Sequence, residues 1–244
     1  MIDVMLVDNN TVSVNELSLL INGGWVKSPN TNEYIPNDAS AIKLCSDLLS
    51  GVENPVMIDI GANVGCFSLL AAVHKNMTCM SFEPIKMLCD VMVTNLAVNN
   101  LGSRVQLFKL GISDQDGSAV INRPLVLSLM GLTTMGIPHR FKHWIEEPIE
   151  VRKLDTFIES FQHGSKIQKI DIIKIDIEGC ELKAIRGAVN TITKFKPHVI
   201  CECTPKNTCQ FGYKFEEIFN IMEKLGYDSR WISKDDVHFY PKDC

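Results

Sequence analysis

The segment VMIDIGANVGCFSLLAA, from Val56 to Ala72, constrains this chain more than any other part of it. Val56, Met57 and Ile58 form a short apolar run of the kind that makes a buried strand, and Asp59 follows where such a strand leaves the core and its tip becomes accessible. A turn bounded by Gly61 and Gly65 comes next, then apolar residues at helical spacing. Glycine takes positive φ and lets the backbone approach a ligand, while the start of the following helix directs unpaired N–H groups at whatever the turn holds. Strand, glycine turn and helix in this order open a βαβ unit, and so predict an α/β fold built on a parallel sheet.

The spacing inside the turn narrows the ligand. A dinucleotide fingerprint needs three glycines, G-x-G-x-x-G, because a pyrophosphate lies against the bare backbone of the second. Asn63 stands at that second place, with Ala62 before it. The turn resembles instead the D-x-G-x-x-x-G turn of class I S-adenosylmethionine (SAM) methyltransferases, whose ligand carries a carboxylate and no phosphate. Further on, CMSFEP from Cys79 to Pro84 is a second strand ending in an acid, Glu83, which can accept both hydroxyl protons of a ribose. A glycine turn alone is as often a tight connection, and an acid at a strand end is often just solvated; the order and spacing of all the pieces together describe a nucleoside site.

Composition enters mainly by exclusion. The chain has 244 residues and a net charge of -5, with no basic stretch to form a nucleic-acid footprint. MIDVMLVDNN has acids where a secretory signal carries lysine or arginine, and no apolar run approaches a membrane span, so a soluble, cytoplasmic protein is expected. Nine cysteines are scattered without a C-x-x-C pair, which suits small buried residues in a reducing compartment. Cys201 and Cys203 alternate on one face of a predicted strand, and packing explains them better than metal.

Along the chain, residues 1–50 read as a flanking or lid segment ending in a helix from Asn37 to Leu49, capped by Asn37 or Asp38, and residues 51–244 as the main domain. Helix Ile85–Asn99 and a third strand, Val105–Leu110, complete the first half of the sheet. GISDQDG follows at that strand's tip, where Ile112 and Ser113 are placed to touch an adenine ring; a plain hairpin turn before Ser118 is the competing reading. Residues 124–148 lose periodicity yet carry His139, Arg140, His143 and Trp144, the mark of an insertion that recognises an acceptor or of an exposed loop with incidental histidines. Ile149–Ile158 makes a short strand and a helix start, Ile170–Ile177 a central strand, and one helix is expected from Glu178 through Phe195, stopped by Pro197. His198–Glu202 is another buried strand, Phe215–Leu225 an amphipathic helix, and Tyr227–Ile232 with Val237–Tyr240 an antiparallel final pair.

A second constellation lies in IDIIKIDIEGCE. Lys174, Asp176 and Glu178 alternate, so a regular strand would put all three on one face. Three charges cannot lie unpaired in a core, so they sit at the carboxyl end of the strand, pair with one another, or meet a ligand.

The segments IDIGANVGCFS, FEP, VRKLDTFI, IIKIDIEGCELKAIRGA and HVICE, in that order, resemble the FkbM family of SAM-dependent O-methyltransferases over roughly residues 55–205, KIDIEGCE being the specific part. The resemblance implies a Rossmann-like, doubly wound, three-layer α/β/α fold with a seven-stranded, mostly parallel sheet and an antiparallel final strand. It implies methyl transfer from SAM, leaving S-adenosylhomocysteine (SAH), to a hydroxyl of a sugar in a glycan, glycolipid or glycosylated natural product, deoxysugars such as rhamnose or fucose included. Asp59, Gly61, Asn63, Gly65 and Glu83 are the cofactor positions so implied; Ala62 and Pro84 beside them, Ile112 and Ser113 at the third-strand tip, and Asp176 complete the cofactor set. Asp176, Glu178 and Glu202 are the acids around the transferred methyl. Asp176 is the first choice to take the hydroxyl proton, with Glu202, His139 and His143 behind it; alternatively Asp176 and Glu202 hold a Mg²⁺ ion that acidifies the hydroxyl. Two rival readings are a nicotinamide-dependent oxidoreductase, which Asn63 counts against, and a SAM-binding module without catalysis.

Overall fold

The computed structural model describes residues 38–125, 132–138, 142–161 and 167–242, together with the backbone of five short strands among the first 36 residues. Those five are an antiparallel meander of β1 (Val4–Val7), β2 (Thr11–Val14) and β3 (Leu17–Leu20), and an antiparallel pair, β4 (Trp25–Lys27) and β5 (Tyr34–Pro36). Then come α1 (Ala39–Leu49), β6 (Val56–Ile60), α2 (Leu70–Val73), β7 (Thr78–Phe82), α3 (Lys86–Val98) and β8 (Val105–Phe108). An arm follows, made of β9 (Gly111–Ile112), β10 (Gly117–Pro124) and β11 (Trp144–Arg152). The second half holds α4 (Leu154–Phe161), β12 (Ile172–Ile175), α5 (Glu181–Arg186), α6 (Val189–Phe195), β13 (His198–Glu202), α7 (Pro205–Thr208), α8 (Glu216–Lys224), β14 (Tyr227–Trp231) and β15 (Asp236–Pro241).

The main sheet has seven strands in the order β14-β15-β13-β12-β6-β7-β8. All neighbours from β13 to β8 are parallel, and β15 runs antiparallel to both β13 and β14. The expected Rossmann-like sheet, mostly parallel with an antiparallel end, is what forms. Its central strands are apolar on both faces, as parallel strands covered by helices must be: Met57, Ile58, Ile172, Ile173 and Ile175 are all fully buried. One face packs against α1, the segment Val64–Ala71 and α3; the other packs against α4, α5, α6 and α8, where Phe82, Phe108, Phe157 and Phe161 meet edge-on and stacked. Helix α1, which the sequence assigns to the flanking segment, sinks Ala41, Ile42, Cys45 and Leu49 into this first core. Cys201 and Cys203 are both fully buried in the second. Strand order reverses between β6 and β12, and at such a switch point the crevice beyond the carboxyl ends is the place for a ligand.

Three local expectations change. The helix after the glycine turn is regular only over Leu70–Val73, because 65–72 closes with a mixture of three- and four-residue hydrogen bonds while Ser68 turns inward to Asp59. The single helix expected over 178–195 is two, α5 and α6. They break at Gly187, where a Cβ would overlap the Ser113 carbonyl, and Asp155 starts α6 afresh by accepting from the amides of Asn190 and Thr191 and from the Thr191 hydroxyl (3.0, 2.8 and 2.7 Å). Finally, residues 144–148 are not irregular: β11 begins at Trp144 and pairs with β10 from Trp144 to Val151. Pro148 hides this in the sequence, but β11 meets β9 only at Val151 and Arg152, so the edge without a proline N–H has no ladder to break. β9 and β10 do not pair with each other, since β11 lies between them, and the GISDQDG turn is therefore no hairpin. Its Asp116 instead accepts from the Lys153 amide and the Thr156 hydroxyl at the start of α4.

Candidate active site

The glycine turn is held shut by its own chain. The amides of Gly61 and Ala62 both donate to the Phe82 carbonyl at 3.0 Å, Asn63 N donates to Glu83 Oε2 at 3.0 Å, and Gly65 N donates to the Ala62 carbonyl at 2.8 Å. Gly61 has φ +79°, and a Cβ there would overlap the Asp176 carbonyl, so this glycine is required by the approach of the β12 loop. Gly65, at φ +95°, lies against Met92 of α3. Asn63 adopts φ +53°, a left-handed conformation that asparagine tolerates better than most side chains, which is how the turn dispenses with a middle glycine. The turn therefore spends these four amides on protein acceptors.

Glu83 is the pivot between the turn and β7. Its Oε2 accepts from Asn63 N and its Oε1 from Ile85 N at 2.9 Å, and the side chain is buried. Burial pushes its carboxyl up to about 7, against the pull of those two amides. Pro84 beside it is half-buried.

Asp59 differs from the accessible strand tip expected of it. It is 1% exposed, at the centre of a polar row in which Lys174, Asp59 and Ser81 are cross-strand neighbours on β12, β6 and β7. Ser68 Oγ donates to Asp59 Oδ2 at 2.6 Å and lies 2.8 Å from Ser81 Oγ. Asp59 Oδ1 is buried without a hydrogen-bond partner among the described residues. Burial raises its pKa, with the Ser68 hydroxyl and Lys174 opposing.

Beyond this row, Lys174 is 2% exposed in its side chain and donates to Asp176 Oδ2 at 3.1 Å, while Asp176 keeps 29% of its side chain exposed at the crevice. The Lys174 ammonium also lies 4.5 Å from the centroid of the Phe67 ring. The strand ends at Ile175, and Glu178 takes φ +52° in the loop that follows, so Glu178 does not continue the alternation of Lys174 and Asp176. It is drawn instead towards Glu202: Asn207 Nδ2 donates to Glu178 Oε2 at 2.8 Å and to Glu202 Oε2 at 3.2 Å, and Thr204 Oγ1 donates to Glu202 Oε1 at 2.9 Å. Burial, followed by Asp176, Glu178 and Glu181, holds Glu202 well above the usual carboxylate range. The loop itself is fixed by Glu181 Oε1, which accepts from Ile177 N and Gly179 N, and by Tyr213, whose hydroxyl donates to the Gly179 carbonyl. Thr134, from the 124–148 segment, donates to the Glu178 carbonyl at 2.9 Å.

The structure thus brings Asp59, Gly61, Asn63, Glu83, Asp176, Glu178 and Glu202 together, through linked contacts, at the carboxyl end of the parallel strands. Ile112 and Ser113 are buried, with Ser113 N bonded to the Arg152 carbonyl and the Ser113 carbonyl lying under Gly187. His143 is exposed just before Trp144, the first residue of β11, and His139 lies outside the described residues. Sequence reasoning missed Ser68, Asn207 and the burial of Lys174. Ser68 lies nine residues from Asp59, and Asn207 follows a Thr-Pro helix start that announces α7 without saying which way the asparagine turns. Among the described residues, no group of three or more His, Cys, Asp or Glu side chains is arranged to hold a metal ion, and no helix is long and apolar enough to cross a membrane.

A sheet of this order, with a glycine turn after its first central strand and an acid after the second, is the Rossmann-like architecture in which class I methyltransferases are built. Comparison narrows the class to a family: residues 59–229 match the Methyltransferase FkbM domain, and the chain belongs to that family. It is 25% identical over 224 residues to methyltransferase sdnD of Sordaria araneosa, covering 81% of this chain and 82% of that one. It is 22% identical over 203 residues to methyltransferase 1 of Beauveria bassiana, covering 76% and 77%. In fold it is similar to the crystal structure of methyltransferase FkbM from Methylobacillus flagellatus, with a TM-score of 0.50 and 20% identity, covering 78% of this chain but 46% of that longer one.

Proposed function

We propose that this methyltransferase uses SAM to methylate a hydroxyl group of a small-molecule acceptor, with sugars the class to test first. The observation that carries the reading is the contact between the two halves of the crevice. The Asp176 carbonyl backs directly onto Gly61 of the cofactor turn, while the Asp176 carboxylate stays partly exposed. A proton acceptor therefore stands next to the turn that would hold the methyl donor.

The residues suit that donor. SAM offers an α-ammonium and two ribose hydroxyls, all hydrogen-bond donors. Asp59 Oδ1 is a buried acceptor oxygen with no described donor, and Glu83 is an acid at the tip of β7. Once bound, SAM supplies an electrophilic methyl group on sulfur. The chain's own part is to hold the acceptor oxygen in line with it and to take the hydroxyl proton as the O–C bond forms. Asp176 suits the second task. Glu202, held towards its protonated form, suits donating a hydrogen bond to the acceptor better than acting as base.

The alternative route, with Mg²⁺ on Asp176 and Glu202, does not fit the donor set. The Lys174 ammonium already faces Asp176 Oδ2 and repels a second cation, and Glu202, held towards its protonated form by burial and acidic neighbours, is a poor ligand for Mg²⁺.

Calorimetry should show SAH binding to the wild-type chain and to Asp176→Ala alike. Mass spectrometry of a sugar and glycoside panel should show the addition of one methyl group with wild type alone. Absence of SAH binding, or full turnover by Asp176→Ala, would overturn the reading.

A further inference from the structure

A fully buried lysine needs a reason, because an ammonium taken out of water is costly unless it is well paired. Lys174 is over-supplied with partners. It bonds Asp176 on its own strand, Asp59 is its cross-strand neighbour on β6, and Asp38 at the start of α1 and Asp236 of β15 also act on it. Burial pulls its pKa down, but these four carboxylates, Asp176 foremost, outweigh burial and the net shift is upward. The face of Phe67 also lies 4.5 Å from the ammonium, a surface that attracts an ammonium and can offer no ligand to a hard divalent ion.

We infer that Lys174 is the resident cation of this crevice: its ammonium takes the charge-balancing place that a divalent metal would otherwise fill beside Asp176, so the site works without one. Lys174 is a positioning residue in this scheme, fixing one oxygen of Asp176 and leaving the carboxylate poised at the crevice. The inference rests on the reading of Asp176 as the acid of the reacting centre.

The test needs no acceptor. Binding of Mn²⁺ is followed by electron paramagnetic resonance, with and without SAH, on wild type, Asp176→Asn, Lys174→Met and the double variant. Wild type is expected to bind no Mn²⁺ that Asp176→Asn removes. Lys174→Met, its carboxylates left without their cation, is expected to bind Mn²⁺ at least about tenfold more tightly than wild type, and the double variant to lose that gain. Stoichiometric Mn²⁺ on wild type that disappears in Asp176→Asn overturns the inference, and so does a folded Lys174→Met that gains nothing. Should circular dichroism show Lys174→Met to be unfolded, the comparison of wild type with Asp176→Asn decides alone. A metal bound by wild type leaves methyl transfer intact, whereas a chain that methylates nothing leaves the Mn²⁺ result standing, so the two readings fail separately.

Discussion

Replacing Glu83 by glutamine should remove a pH dependence that the fold carries at its cofactor turn. The Glu83 carboxyl is displaced from 4.5 to about 7 by burial, which at 1.36 kcal/mol per pH unit amounts to about 3 kcal/mol. A folded-state value above the unfolded one means that the stabilisation is complete below pH ~4.5 and is lost as pH rises through about 7. Between pH 5 and 8 the wild-type chain should lose roughly 2 to 3 kcal/mol of stability from this group, and Glu83→Gln should not. Glu181 and Asp38 are displaced upward too, to about 7 and about 6, so the whole chain has a slope from several groups. Subtracting variant from wild type isolates Glu83. The substitution has its own cost, because a glutamine NH₂ would face one of the two backbone amides that Glu83 accepts from, about 1 to 3 kcal/mol. That cost is nearly independent of pH. Urea unfolding at several pH values measures the slopes, and parallel slopes for the two proteins would refute the argument. Calorimetry supplies a second readout: SAH affinity for wild type should rise with pH through about 7 as the carboxylate becomes a charged acceptor for ribose hydroxyls, and Glu83→Gln should bind roughly tenfold or more weakly at pH 8.

Gly61→Ala combines a positive φ with overlap of the Asp176 carbonyl, and should cost about 3 kcal/mol or more in urea unfolding, with SAH affinity falling as the two loops part. A stability within 1 kcal/mol of wild type, roughly, would show that the loops separate freely. Asp155→Ala removes three hydrogen bonds at the start of α6 from a residue outside the proposed cofactor set, and should lower stability by about 1 to 2 kcal/mol while leaving SAH affinity unchanged. Asn207→Ala should leave SAH binding intact and lower turnover on whatever acceptor is found, because Glu178 and Glu202 lose the amide that holds them together; unchanged kcat and KM would remove this bridge from the catalytic scheme.

What was legible in the sequence follows from how local its cause is. The β6 strand, its turn and Glu83 are coded within 28 residues, from Val56 to Glu83, by apolar runs, glycines and one acid, and the parallel sheet follows from their order. The split of α5 from α6 was hidden because its cause is distant: Gly187 meets Ser113, and the cap comes from Asp155, 35 residues before the amide it serves. The arm was hidden by Pro148, whose penalty in a strand vanishes only once the edge it faces is known to be unpaired. At the site, acidic residues could be picked out by type, but not which of them would be paired. Alternation put Lys174, Asp176 and Glu178 on one face, and the strand ended one residue before Asp176.

The same strand ending explains how one crevice accommodates so many acids. Had β12 stayed regular to Glu178, its carboxylate would have joined Asp176 and Asp59 on the Lys174 side, with a single ammonium to balance them. The positive φ of Glu178 carries its carboxylate towards β13, where Asn207 joins it to Glu202. Two kinds of acid result. The Lys174 side gives Asp176 a cation partner at 3.1 Å and leaves its carboxylate partly exposed, as an acceptor. The Asn207 side gives Glu202 only neutral donors and acidic neighbours, and favours the protonated, hydrogen-bond-donating form. A hydroxyl lying between them would meet an acceptor for its proton and a donor for its oxygen, an arrangement that orients one particular lone pair for attack. Exchanging the sides tests this: Glu202→Gln keeps a donor and should retain much of the turnover, whereas Asp176→Asn keeps the shape, loses the acceptor and should abolish it. Equal losses in kcat from both substitutions would mean that the two acids do not divide the work.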